Sequence, residues 1–166
     1  GKATPPALAG RVVVITGGAG AIGAATAAAF MAKGAEIMLV DRDHDRLASA
    51  ATELSKVGGG HVEICCTDIT EDGAPAAMVA QAVNRFGGID ILVSNAGTAV
   101  PGAMCELDEA ILRDSFDLNF FAHYRIAKAV NQVFVSQSRG GQMLFNVSKQ
   151  AVNPGQNFGA YGLPKS

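Results

Sequence analysis

Two pairs of residues in this chain stand at a spacing that could move a proton. Tyr161 and Lys165 are i and i+4, and so are Tyr124 and Lys128, so on a helix each pair projects from one face. A phenol titrates near about 10 in water, too high for a base at neutral pH. A neighbouring ammonium favours the phenolate and lowers that value. A second group of residues could hold an anion. Thr16-Gly17-Gly18-Ala19-Gly20-Ala21-Ile22-Gly23 follows the β-branched run Val12-Val13-Val14-Ile15 and precedes an alanine-rich stretch. Read as strand, turn and helix, positions 18–23 fit G-x-G-x-x-G. In that spacing glycines turn tightly and let bare N–H groups approach a pyrophosphate at a helix N-terminus. Asp41 closes the next apolar run 18 residues beyond Gly23, where a carboxylate accepts hydrogen bonds from an adenosine ribose. Gly17, Gly18, Gly20, Ile22, Gly23 and Asp41 are therefore candidate cofactor-binding residues of a Rossmann unit. Asp41 would repel a 2′-phosphate, which points to NAD, while Arg42 beside it would partly accommodate NADP. The plainer reading of Asp41 is a surface acid opening a loop.

These groups need elements to position them. Apolar, β-branched runs predict strands at 11–15, 36–40, 61–66, 89–93 and 142–147. Helical spacing predicts helices at 24–33, 43–57 and 71–86, the last with Thr70 as its cap, and a long helical region at 108–138 broken near Asn119. Glycine pairs and triplets punctuate the elements. Strands alternating with helices argue for a parallel sheet covered on both faces. Thr16, Asp41, Asp68, Asn95 and Ser148 fall at the carboxyl ends of the five strands, where an open parallel sheet takes its ligand.

With 166 residues the chain suffices for one domain, residues 8–166, behind a linker or cloning scar at 1–7. A net charge of −2 and 17% charged residues give no reason to expect nucleic acid or an anionic membrane surface as partner. No apolar run approaches the length of a membrane span. Cys65, Cys66 and Cys105 lack C-x-x-C spacing and read as reduced, small apolar residues of a cytoplasmic protein. His44, His61 and His123 are scattered and read as solvated or incidental, so no metal site is expected.

Together the motifs resemble the short-chain dehydrogenase/reductase family over residues 8–166. Thr16 to Gly23 looks like its glycine loop, Asp68-Ile69 like the pair that contacts adenine, and Asn95-Ala96-Gly97 like the N-A-G after its fourth strand. Asn119, Ser148, Tyr161 and Lys165 fall in the order and spacing of its catalytic tetrad. The resemblance implies a doubly wound parallel sheet that binds NAD. It also implies hydride exchange between nicotinamide and a small alcohol, aldehyde or ketone. In that scheme Ser148 holds the substrate oxygen while Tyr161 exchanges its proton. Lys165 supports the phenolate and meets a ribose hydroxyl, and Asn119 holds a water that completes a proton relay. Position separates the two tyrosines. Counting back 13 from Tyr161 finds Ser148 at a strand end, whereas 13 before Tyr124 is Ile111. Tyr124 and Lys128 then read as a helix-surface pair. Ser148 lacks the G-x-S-x-G setting of a hydrolase nucleophile. Asp68 could equally be a helix-capping acid, and Asn95-Ala96-Gly97 a plain turn.

The chain departs from the family's pattern in two places. Ala21 stands where a glycine is common, which a negative φ tolerates. The chain also stops one residue after Lys165, where family members continue with two more strands and a loop over the substrate. The expectation is a Rossmann domain truncated after its fifth strand and the start of the catalytic helix, with an uncovered sheet edge. The residues around Ser148 and Tyr161 are similar to the dehydrogenase half of bifunctional aldolase/short-chain dehydrogenases. Family members pair through the helices carrying Asn119 and Tyr161, which implies a dimer or tetramer. A nucleotide-binding module without catalysis is the rival reading.

Overall fold

The computed structural model describes residues 5–166. The expected residues 1–4 of the linker lie outside the described residues. Five strands, β1 (Val12–Thr16), β2 (Glu36–Asp41), β3 (Val62–Cys66), β4 (Ile91–Ser94) and β5 (Gln142–Phe145), form one parallel sheet in the order β3-β2-β1-β4-β5. Helices α1 (Ala21–Met31), α2 (His44–Ser55), α3 (Ala74–Phe86), α4 (Glu109–Phe116), α5 (Ala122–Gln137) and α6 (Gly159–Lys165) complete the fold.

The two-residue period of a strand explains the two layers. Val13, Ile15, Ile37 and Leu39 point to one face, where they meet Ala27 and Met31 of α1 and Leu47 and Leu54 of α2. Val14, Met38 and Leu92 point to the other, against Met78 of α3 and Ile126, Val130 and Phe134 of α5. With both faces covered, β1 is buried throughout, as a central parallel strand should be. At the far edge β5 pairs only with β4 among the described residues, and Leu144 and Phe145 are half exposed.

The sequence-based boundaries shift where local chemistry intervenes. Helix α3 starts at Ala74 and its N-cap is Gly73, so Thr70 is not its cap. The Asp68 carboxylate has taken the Thr70 N–H at 3.0 Å and its hydroxyl at 2.7 Å, closing a turn that competes with helix. Pro75 then occupies the first turn, the one place in a helix where its missing N–H costs nothing. Helix α1 starts at Ala21, three residues earlier than alanine content implies, because the glycine loop closes directly into it. The expected break near Asn119 is a π-helical turn, Asp117–Phe121, between α4 and α5. The three cysteines are free, but Cys66 and Cys105 are exposed rather than apolar filling.

The loop itself depends on close approach. Gly17 has φ +65°, which favours glycine. A β-carbon at Gly23 would overlap the Gly17 carbonyl oxygen, and one at Gly18 would sit 2.9 Å from the Leu39 side chain. Gly23→Ala should therefore lower unfolding free energy by about 1–3 kcal/mol, read as a lower urea midpoint. An unchanged midpoint would show that α1 moves aside freely.

Candidate active site

Beyond the carboxyl ends of the strands lies a cleft of about 710 Å³. Its first wall is the loop before α1, through Gly17, Gly20, Ala21 and Ile22. No side chain caps α1, so first-turn N–H groups and the positive end of the helix remain available to an anion. Gly18 and Gly23 are not in the lining; they let the backbone pack behind it. Asp41 fastens this loop to β2. One carboxylate oxygen accepts from the Ala19 N–H at 3.2 Å, the other from the Arg42 and Asp43 N–H groups at 2.8 and 3.4 Å. Arg46, which no sequence motif marked, donates to the Ala19 carbonyl at 3.1 Å.

The second wall is the β3–α3 connection. Asp68 faces the exposed Arg42 guanidinium at 3.7 Å. Its pKa is held below the usual aspartate value, first by the Thr70 N–H, then by the Thr70 hydroxyl, with Arg42 adding to both. Ile69 reaches the cleft, but most of its side chain belongs to the core beneath. Arg125 of α5 links this wall to the π-helical turn, donating to the Thr70 carbonyl at 3.3 Å and to Asp117 at 2.6 Å.

The third wall gathers the candidate proton-transfer groups. Thr16 accepts the Asn95 and Ala96 N–H groups at 2.9 and 3.1 Å, and Asn146 donates to the Asn95 side chain at 2.8 Å. At Gly97 a β-carbon would sit 2.7 Å from Asn119 Oδ1 and 3.2 Å from Lys165 Nζ, so glycine alone lets these groups converge. Asn119 is 3% exposed and donates to the Thr98 carbonyl at 3.1 Å and to Ser115 Oγ at 3.2 Å. Its Oδ1 has no donor among the described residues. The one-residue expansion of the π turn brings Asn119 to this position. Tyr161 and Lys165 sit on α6, with Nζ 5.9 Å from the ring centroid and 3.5 Å from the Asn146 carbonyl. Burial pushes the Lys165 pKa below the ordinary lysine value.

Asn119 and Lys165 thus meet at Gly97, Tyr161 lies beside Lys165 on α6, and Ser148 caps the short Lys149–Ala151 turn that packs against α6. The Ser148 hydroxyl accepts from the Gln150 N–H at 3.2 Å, outside the cleft lining. Tyr124 and Lys128 are exposed on α5, away from the cleft.

Of the two readings of the histidines, solvated or incidental, the first fails for His123, which is buried with its ring against Ser94 Oγ. His44 and His61 are exposed. No cluster of metal-ligating side chains occurs among the described residues. Burial, then the nearby Lys165 charge, push the His123 pKa down to about 4, against a smaller upward pull from the Ala96 carbonyl. The sign for stability follows. Between the ordinary value near 6.5 and 4, the unfolded chain takes up a proton that the folded chain refuses. Acidification from pH 7 to 4.5 should therefore cost roughly 2–3 kcal/mol through this group. Urea unfolding of His123→Leu should show a correspondingly shallower pH dependence. Parallel curves for the two proteins would refute it.

The strand order, the glycine loop at β1 and the cleft at the strand ends define a Rossmann-type nucleotide-binding domain. The family model described as short chain dehydrogenase matches residues 11–166. The chain belongs to that family. Galactitol 2-dehydrogenase of Agrobacterium fabrum is 33% identical over 146 residues, covering 88% of this chain and 55% of that enzyme. The uncharacterized oxidoreductase YuxG of Bacillus subtilis is 31% identical over 160 residues, 94% of this chain but 23% of that one. The solved structure of NAD⁺-bound xylitol dehydrogenase aligns with a TM-score of 0.91 at 27% identity, over 96% of this chain and 61% of that chain. The chain therefore spans less than two thirds of each relative. No helix among the described residues is long and apolar enough to cross a membrane.

Proposed function

We propose that the cleft binds NAD(H) and that residues 8–166 form the cofactor-binding part of an oxidoreductase acting on a small alcohol, aldehyde or ketone. One observation carries the reading. Tyr161 and Lys165 line the same cleft as the α1 N-terminus and Asp41, and Lys165 Nζ meets the buried Asn119 Oδ1 at Gly97 behind that lining. The fit to a dinucleotide is physical: N–H donors for a pyrophosphate at one wall, a carboxylate for ribose hydroxyls beside it, and a proton-exchange pair at the other. Gly17, Gly20, Ile22, Asp41, Asp68, Ile69, Asn95, Ala96 and Gly97 face the cofactor in this reading, with Gly18 and Gly23 shaping the loop. When bound, the nicotinamide supplies the hydride chemistry.

Tyr161 exchanges a proton with the substrate oxygen. The Lys165 ammonium, 5.9 Å from its ring centroid, stabilises the negative charge left on the phenol oxygen. Asn119 Oδ1, buried without a donor, accepts from a water that passes the proton outward. Ser148 keeps its hydroxyl proton free for the substrate oxygen, since its present bond is one it accepts. The rival reading is a nucleotide-binding module without turnover.

Dehydrogenase names among the relatives support a small polar substrate. Exposed Phe120, Phe121 and Tyr124 support pairing of two copies across this face. Three unbridged cysteines fit the cytoplasm.

Fluorescence titration should show tighter binding of NADH than NADPH, because Asp41 repels a 2′-phosphate more than the tethered Arg42 attracts it. Equal affinities would remove Asp41 from the ribose. In the full-length protein, Tyr161→Phe should lower kcat by at least about 100-fold with NADH affinity retained, while Tyr124→Phe should leave kcat unchanged. NADH binding without turnover in the unaltered protein would establish the module reading instead.

A further inference from the structure

The proton-exchange scheme leaves one buried titratable group idle. His123 stands on the first turn of α5, four residues after Asn119, and is 7% exposed. Three structural neighbours act on its ring. From β4, Ser94 Oγ lies within hydrogen-bond distance of Nδ1. From the segment after β4, the Ala96 carbonyl faces it, and from α6 the Lys165 ammonium is the one charged group among the described residues that acts on it. Ser94 is wholly buried, and its hydroxyl meets His123 Nδ1. A buried hydroxyl needs an acceptor for its proton, and Nδ1 is an acceptor within reach. With Nδ1 accepting, the ring proton sits on Nε2, and the Ala96 carbonyl is the backbone acceptor that acts on the ring.

The segment this ring touches has little room to move. Ser94 ends β4, and Ala96 and Gly97 follow it into the cleft wall. At Gly97 the gap to Asn119 and Lys165 admits no added β-carbon. Close packing makes a displacement of a few tenths of an ångström there costly, since interiors do not deform continuously.

We propose that His123 is a positioning residue: as a neutral Nε2–H imidazole it ties α5 to the 94–97 segment and holds that wall of the cleft in its nucleotide-binding position. The proposal rests on the cleft being the NAD(H) site. His123 acts through the backbone of Ser94 to Gly97, without touching the nucleotide.

The test uses the protein with NADH as probe. Side-chain ¹⁵N NMR at pH 7 should show His123 neutral with its proton on Nε2, and a proton on Nδ1 would overturn the proposal. His123→Leu fills the site but gives Ser94 no acceptor, and it should weaken NADH binding about tenfold. His123→Asn, which restores an acceptor near Nδ1, should recover most of that loss even if its unfolding midpoint falls. A folded His123→Leu protein with unchanged NADH affinity would overturn the proposal, as would His123→Asn binding no better than His123→Leu. Should His123→Leu fail to fold, Ser94→Ala carries the same test. It should weaken NADH binding and release the tautomer preference, and no change in either would overturn the assignment. If the unaltered protein binds no NADH, the reading of the cleft falls, and this proposal falls with it. Tight binding by the unaltered protein and by both variants would remove the role of His123 alone.

Discussion

The Thr16 hydroxyl joins the two halves of this cleft. It is fully buried at the end of β1 and accepts the N–H groups of Asn95 and Ala96 just past β4. Asn95 returns the bond, its side chain donating to the Thr16 carbonyl at 3.1 Å. Two adjacent strand ends are thereby locked at the point where the sheet's connections diverge to opposite faces. A buried exchange of this kind is worth more than its bonds taken singly, because each unpaired group would carry a desolvation cost. The glycine loop leaves from one side of the lock and the Asn95–Gly97 wall from the other.

Charge in the cleft is arranged around backbone. Asp41 takes three N–H groups and so serves the loop before it serves any ligand. Asp68 likewise binds its own turn first and the exposed Arg42 second. These local bonds hold the carboxylates in place without long, entropically expensive ion pairs, which contribute little at a surface. Lys165 differs: it is partly desolvated, and the His123 imidazole on which its charge acts is kept neutral. One positive charge therefore dominates that end of the cleft.

The π-helical turn is a local concession to the site. A straight helix from α4 into α5 would satisfy the backbone better. Here the extra residue carries Asn119 to Gly97, while Arg125 donates both to Asp117 on the same turn and to the Thr70 carbonyl of the β3–α3 wall. Irregular backbone in one element thus touches two of the three walls.

Alternating apolar runs and glycine punctuation were enough to read the parallel sheet, its two helical layers and the loop before α1. Those features depend on periods of 2 and 3.6 and on φ angles that few residues adopt, all local properties of a sequence. The pair Tyr161 and Lys165 was readable for the same reason, being one helical turn apart. Tertiary structure alone decided the rest. Whether Gly97 separates Asn119 from Lys165 depends on elements more than 20 residues apart in the chain. Ser148 carried the right spacing, and only the fold shows that its hydroxyl oxygen also accepts the Gln150 N–H. Thr70 carried the residue type of a helix cap, yet Asp68 captured it first. His123 had no motif at all, because burial against Ser94 and proximity to Lys165 arise only when β4, α5 and α6 pack. Sequence spacing states which groups can meet; desolvation and competition for each N–H and hydroxyl, which exist only in the folded chain, determine which ones do.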